Sequence, residues 1–342
     1  MTDQINKRKA EHITLCLTDQ VTGEGITSGM ESVRLIHNAL PEIDFDKISL
    51  ATHFFNKEIK TPFLISSMTG GSEEATIINR NLAIAAEERG WVFALGSTRA
   101  LIESDAYSES FQVRDLAPTI PIIANLGAVQ LNYGFTAEKC QQIIDRTEAN
   151  GLVLHLNSIQ EVIQTNGDTN FENLLPKIEH LVSSLDVPVG VKEVGWGIDG
   201  ETARQLRDVG IQFIDVAGAG GTSWSQVEKL RSHDPIRKEA AEAFVDWGIS
   251  TVESLITVKQ EVNDVPVFAS GGMKTGVDAA KAIALGADYV GFARSLLKNA
   301  TISAEAVSQM MATRELELQM AMFGLGMLTI SDLQQTKRVQ IK

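Results

Sequence analysis

Several polar side chains stand where apolar runs end, and their types could bind an anion and move a proton. Lys192 lies inside VPVGVKEV (187–194). An unpaired ammonium is costly to bury, so this lysine faces a polar centre or a ligand, with a structural ion pair as the plainer alternative. His155 falls in GLVLHLN (151–157), and Asn157, Gln160 and Glu161 follow it. A lone histidine there would read as a satisfied core residue; with two amides and a carboxylate beside it, the group reads as a site. PFLISSM (62–68) runs into Ser66, Ser67, Met68, Thr69, Gly70 and Gly71. VFALGS (92–97) leads from Ser97 to Arg99, and PIIANLG (121–127) carries Asn125. Each of these taken alone is ordinary turn chemistry.

The segment SGGMKTG (270–276) says more. Gly271 and Gly272 let backbone N–H groups approach a ligand closely, Met273 and Lys274 follow, and the turn opens a helix whose dipole favours an anion. FARS (292–295) adds a second set of N–H groups at Ala293 and Arg294. Paired loops of this kind hold a phosphate in many parallel barrels, and the phosphate of a flavin mononucleotide fits them. Elsewhere, Arg8-Lys9 reads by itself as a solvated basic pair and Trp224 as a packing anchor in an insertion.

The elements that must position these residues are legible as a rhythm. Short apolar runs recur at 62–68, 92–97, 121–127, 151–157, 187–194, 213–220, 265–272 and 289–296. Most are nearly continuous, as strands buried on both faces of a parallel sheet should be. Helical patterns fill most intervals, at 73–90, 136–151 and 275–287 among others, and Gly90 marks a stop. Eight βα units, with no G-x-G-x-x-G turn after the first strand, favour a closed (β/α)₈ TIM barrel over an open dinucleotide-binding sheet. The expectation is one α/β barrel domain over 1–342: an N-terminal extension at 1–60 with helix-like and turn-like patterns, then a barrel at about 61–330. Loops after strand four (159–171) and strand six (221–248) are lengthened. In barrels such loops carry the chemistry.

The chain has 342 residues, 44% hydrophobic and 22% charged, with a formal net charge of −14. That balance excludes a general nucleic-acid binder. A phosphate site here has to be built locally from a few cations and backbone amides. Two cysteines, Cys16 and Cys140, carry no disulfide framework or metal spacing. No apolar run suits a signal peptide or a membrane span, so a cytoplasmic protein is expected.

Nine segments in order are similar to the type 2 isopentenyl-diphosphate isomerase family: RKAEHI (8–13), SSMTGG (66–71), GSTR (96–99), ANLG (124–127), HLNSIQE (155–161), GDTNF (167–171), VKEVGWGI (191–198), GAGGTSW (218–224) and SGGMKTG (270–276). The resemblance covers nearly the whole chain. It implies an FMN barrel that interconverts isopentenyl and dimethylallyl diphosphate by a 1,3-allylic proton shift. Reduced FMN would be the acid–base group, NADPH the reductant, and Mg²⁺ a bridge to the diphosphate. The assembly would be a homo-oligomer, tetramer or octamer.

Carried onto this sequence, flavin contacts fall on Ser67, Met68, Thr69, Ser97, Asn125, Lys192, Thr222, Gly272, Met273, Lys274, Ala293 and Arg294. Substrate contacts fall on Arg8, Lys9, Ser97, Arg99, His155, Gln160 and Trp224, and the metal on Glu161. Gln160, Lys192, His155 and Glu228 are the catalytic candidates, Glu228 as a proton partner. One departure is Ala217, where the family pattern has a serine. A 2-hydroxy-acid oxidase or dehydrogenase is the rival FMN barrel, but it is expected to carry a His-Gly-x-Arg motif, and no histidine here precedes a glycine. A non-catalytic flavin or isoprenoid-phosphate binder would lack Gln160, Glu161 or the Arg8-Lys9 pair, all of which are present.

Overall fold

The apolar runs form the strands expected of them. In the computed structural model these are β1 (Phe63–Ile65), β2 (Val92–Ala94), β3 (Ile122–Gly127), β4 (Gly151–His155), β5 (Val189–Lys192), β6 (Phe213–Asp215), β7 (Val267–Ala269) and β8 (Tyr289–Phe292). The structure describes residues 2–342, without the side chains of residues 2–7, 106 and 107. Each strand pairs in parallel with the next, and β8 returns to β1 through Val290 opposite Phe63, closing the barrel. Except in β3, the ladders are shorter than the apolar runs because the C-terminal residues of the run leave the sheet for the rim.

Alternation along the strands divides the core in two. Leu64, Val92, Ala94, Ile123, Val153, Phe213 and Phe268 fill the barrel interior. Their neighbours, such as Phe63, Ile65, Phe93, Leu152, Val191, Ile214 and Phe292, pack outward against the helices. Register then decides what stands side by side at the C-terminal rim. His155 of β4 lies opposite Lys192 of β5, and Lys192 lies opposite Asp215 of β6.

The helices follow local chemistry. Glu73–Arg89 is opened by Ser72, whose side chain accepts from the Ala75 N–H, and closed by Gly90 in the left-handed region at φ 75°. The pattern read over 136–151 overruns: the helix is Ala137–Thr147, Glu148 turns left-handed, and Gly151 already belongs to β4. The insertion at 221–248 carries two helices, Trp224–Arg231 and Pro235–Glu242. The one after β4 begins with Ser158–Ile163.

The N-terminal extension holds more than helix and turn. Helix Thr2–Cys16 packs against Trp224–Arg231. A hairpin, Thr52–Phe54 with Lys57–Ile59, sits under the N-terminal end of the barrel. Val33–Leu35 pairs antiparallel with Val339–Ile341, so the residues beyond 330 are tied back to the extension.

Candidate active site

A cavity of about 1170 Å³ occupies the C-terminal mouth of the barrel. Every residue expected to contact flavin, substrate or metal or to act in catalysis lines it, from Arg8 and Lys9 through Ser67, Asn125, His155, Lys192 and Trp224 to Gly272 and Arg294. Wide sequence separation is erased by the closure of the barrel and by the N-terminal helix lying across the mouth.

One end is made of hydroxyls and glycines from β1, β6, β7 and β8. The hydroxyls of Ser66, Ser67, Thr69 and Ser295 are buried and have no protein partner. Buried polar atoms are normally satisfied, so four at one end of a cavity point to a polar ligand. The glycine turns are packed backbone to backbone. A Cβ on Gly221 would stand 2.6 Å from the Gly272 nitrogen, and one on Gly272 (φ 73°) 2.6 Å from the Gly220 carbonyl oxygen. These features fit an FMN phosphate and ribityl chain.

Two details differ from expectation. The helix after the SGGMKTG turn, Gly276–Ala284, has its first amides engaged: Lys274 and Thr275 N–H donate to Asp278, and Gly276 N–H donates to Glu317. Its N-terminus is answered by the protein's own carboxylates, and the glycine turn before it is the backbone that faces the cavity. The Arg294 guanidinium is likewise engaged, with the carbonyls of Cys16 and Thr18 and the carboxylate of Asp19. It anchors the N-terminal segment. Lys274 is exposed at the rim.

At the centre, the buried Lys192 ammonium donates to the Glu193 carbonyl at 2.5 Å. Burial lowers its pKa, and the charges of Asp215 and Glu193 work against that. Asp215 is held by the Ser270 hydroxyl at 2.7 Å, and burial raises its carboxyl. The Glu193 carboxylate accepts the N–H groups of Val194, Gly195 and Trp196 at 2.6, 2.8 and 2.6 Å, which fixes the loop after β5. Burial pushes it up to about 7 despite those bonds.

The other end gathers cations. Arg8 and Lys9 come from the N-terminal helix and Arg99 from the end of β2. Burial, then the charge of Arg8, holds Lys9 down to about 8. Among the described residues neither Arg8 nor Lys9 forms an ion pair, and the Arg8 Nε is buried without a partner. The His155 Nδ1 lies 2.8 Å from the Asn125 Oδ1. Burial, then Lys192 and Lys9, pushes its pKa down to about 3, so it is neutral, with Nδ1–H donating to Asn125.

Between the two ends lies Glu228. It accepts from His12 Nε2 at 3.0 Å, from Gln160 Nε2 at 3.1 Å and from Arg231 at 2.5 Å. Burial would raise its carboxyl, but His12, Arg231 and Gln160 outweigh that and hold it down to about 2. His12, kept down to about 4 by burial, is a neutral donor and stands edge-on to Trp224 at 5.1 Å. Glu161 accepts from Asn157 Nδ2 and from the Asp168 N–H, both at 2.8 Å, while the buried Asn157 Oδ1 has no partner. One carboxylate with an idle amide oxygen beside it fits Mg²⁺, which takes its remaining ligands from water and substrate oxygens. Among the described residues no cluster of three His, Cys, Asp or Glu side chains forms a complete metal cage.

Sequence reasoning did not single out His12, Arg231, Asp168, Asp215 or Glu193 as site residues. His12 was within reach, because it sits in the RKAEHI segment, one helical turn beyond Arg8.

The family model described as FMN-dependent dehydrogenase matches residues 127–340. An isopentenyl-diphosphate delta-isomerase of Oceanobacillus iheyensis is 61% identical over 98% of this chain and 97% of its own. One from Rickettsia bellii is 47% identical over 97% and 96%. The chain belongs to the isopentenyl-diphosphate delta-isomerase family. The FMN-dependent dehydrogenase match puts it among the flavin-dependent, type 2 isomerases. In fold alone, this chain shares its barrel with solved structures of low sequence identity. A mandelate oxidase aligns over 100% of this chain and 98% of its own at TM-score 0.66 and 18% identity. A flavocytochrome b2 aligns over 98% and 82% at TM-score 0.69 and 16% identity. Among the described residues no helix is long and apolar enough to cross a membrane.

Proposed function

We propose that this protein interconverts isopentenyl diphosphate and dimethylallyl diphosphate by a 1,3-allylic proton shift, with reduced FMN and Mg²⁺. The observation that carries the reading is the pair Arg8 and Lys9. In a protein of net charge −14, two partly buried cations that have no carboxylate in ion-pair contact among the described residues face a cavity. Such charges call for an anion, and a diphosphate supplies one. At the far end, Ser67, Met68, Thr69, Ser97, Asn125, Thr222, Gly272, Met273 and Ala293 would hold FMN, and Lys192 would face its ring. When bound, reduced FMN supplies an electron-rich ring and an acid–base centre beside the reacting carbons.

The chain's own residues do the rest. Arg8, Lys9, Arg99 and Ser97 hold the diphosphate. His155 stands beside them as a neutral ring, oriented by its Nδ1–H donating to Asn125 Oδ1. Glu161, with Asn157, would hold Mg²⁺, which would supply positive charge to the diphosphate. Gln160 faces the reacting carbons, and its amide is fixed by Glu228. With a pKa near 2, Glu228 stays ionised across the working range. As an ionised carboxylate it orients Gln160 and His12 and can take up a proton passed to it, the role expected of it. Trp224 walls the isoprenoid tail and keeps water from the allylic centre. The same reading carries NADPH as an external reductant and a homo-oligomer of four or eight chains working in the cytoplasm.

The test is product formation in D₂O from isopentenyl diphosphate, with anaerobically reduced FMN and Mg²⁺, followed by proton NMR. Dimethylallyl diphosphate carrying deuterium is the expected result. Bound flavin without product would overturn the isomerase reading, and full turnover by flavin-free protein would remove FMN from the mechanism.

A further inference from the structure

The loop after β4 meets the rim cations at one residue. The Asp168 Oδ2 accepts from Arg99 Nη1 at 2.5 Å and from Gln130 Nε2 at 2.9 Å. The Asp168 backbone N–H donates to Glu161 Oε2 at 2.8 Å. Three rim elements therefore converge here: the end of β2 through Arg99, the segment after β3 through Gln130, and the helix after β4 through Glu161. The turn that makes this possible is tight. A Cβ on Gly167 would lie 2.0 Å from the Glu161 carbonyl oxygen and 2.8 Å from its Oε2. The neighbouring residue could not be larger without pushing Asp168 off both partners.

Arg99 has a competing hold. Its Nε donates to Glu103 at 2.6 Å, one turn along its own short helix, Arg99–Glu103. Glu103 is exposed at the rim of the same cavity, whereas Asp168 and Gln130 reach Arg99 from the loops after β4 and β3 on the same side of the barrel. With both grips in place the plane of the guanidinium is fixed. With the Glu103 grip alone, an arginine this long has rotamers that carry its head away from Asp168 and Gln130.

From this geometry we infer that Asp168 is a positioning residue for substrate binding: it holds the Arg99 fork in place for the diphosphate and ties that fork to the carboxylate of Glu161. The inference rests on the isomerase reading above and deepens it. Asp168 acts through Arg99 and touches no reacting atom. It partly offsets the arginine's charge, so its value is orientation. A guanidinium already held in plane loses less freedom when it closes on a diphosphate.

The consequence is a split between affinity and chemistry. Asp168→Asn keeps the size of the side chain and the backbone N–H to Glu161, and removes the ionic grip. KM for isopentenyl diphosphate should rise about 10-fold, the equivalent of one charge-assisted hydrogen bond. The kcat should stay within about 3-fold. The dissociation constant of isopentenyl diphosphate from oxidised holoenzyme with Mg²⁺, read by calorimetry without turnover, should rise by the same factor as KM. Flavin content and melting temperature should match the wild type.

A double-mutant cycle with Arg99→Ala decides the matter. If Asp168 works through Arg99, Asp168→Asn adds little to the loss already caused by Arg99→Ala. Equal effects of Asp168→Asn in both backgrounds, or an unchanged dissociation constant, overturn the inference. Asp168→Ser takes the place of the asparagine variant if flavin content falls. Wild-type protein that neither binds nor converts isopentenyl diphosphate would sink the functional reading. Active wild type with an unaffected Asp168→Asn variant sinks this inference alone.

Discussion

Lys9 shows how burial converts a common side chain into a sensor of its ligand. Its ammonium is held down to about 8, first by burial and then by Arg8. The charged form dominates below that value and is lost as pH rises through it. An enzyme that needs this charge to hold a diphosphate should therefore weaken its grip on the alkaline side. KM should climb several-fold between about pH 7 and about pH 9, with kcat moving less. Lys9→Arg, whose guanidinium stays charged throughout, should flatten the climb. A wild-type KM independent of pH across that range would mean that Lys9 takes no part. Residues like Lys9 were only half legible in the sequence. RK at positions 8–9 reads as a solvated pair until the family pattern is laid over it. Lys192 was legible from physics alone, because a charge inside an apolar strand demands a reason. Asp168 was not, since its meaning lies in Arg99, 69 residues away; nor was the tie between His12 and Glu228, which spans 216 residues.

At the scale of elements, the eight strands were plain, because burial on both faces leaves an unbroken apolar run. The Gly90 stop of Glu73–Arg89 also followed from local chemistry. What misled was the helix opening after β7. A glycine turn leading into a helix looks like a dipole awaiting an anion, yet Asp278 and Glu317 already answer it. Glu317 lies far beyond the helix and leaves no local mark on the turn, whereas Thr275 and Asp278 form a capping box whose spacing the sequence does carry. The weight then falls on the glycines. Gly272 adopts φ 73° and has the Gly220 carbonyl oxygen 2.6 Å from where a Cβ would stand. Gly272→Ala would force these two turns apart, since neither side is a flexible side chain that can move aside. FMN affinity should drop by at least about 10-fold, the value of one or two lost hydrogen bonds. The barrel, judged by far-ultraviolet circular dichroism, should persist. Unchanged flavin retention would show that the phosphate lies elsewhere.

Taken whole, the molecule separates its work between the two ends of the barrel. The cavity residues all lie at the C-terminal mouth, while the N-terminal end is closed by aromatic packing. The extension supplies both closures: helix Thr2–Cys16 brings Arg8, Lys9 and His12 to the mouth, and the hairpin Thr52–Ile59 plugs the base. None of this hairpin was visible as strand in the sequence, because its segments are three residues long and too short to show a period. Phe54 is 3% exposed, and its ring lies 4.9 Å from Phe55, 5.3 Å from Tyr289 and 6.1 Å from Phe268. The Tyr289 hydroxyl donates to the His53 carbonyl and ties the hairpin to β8. Removing this ring should therefore be a matter of stability alone. Phe54→Ala leaves a cavity among side chains already fixed by their strands, at a cost of about 3–5 kcal/mol. The urea midpoint should fall accordingly, while KM and kcat at 25 °C, well below the transition, stay within about 2-fold. Loss of turnover in a Phe54→Ala protein with native circular dichroism and full flavin content would show that the two ends are coupled through the strands, and the division of labour argued here would fail.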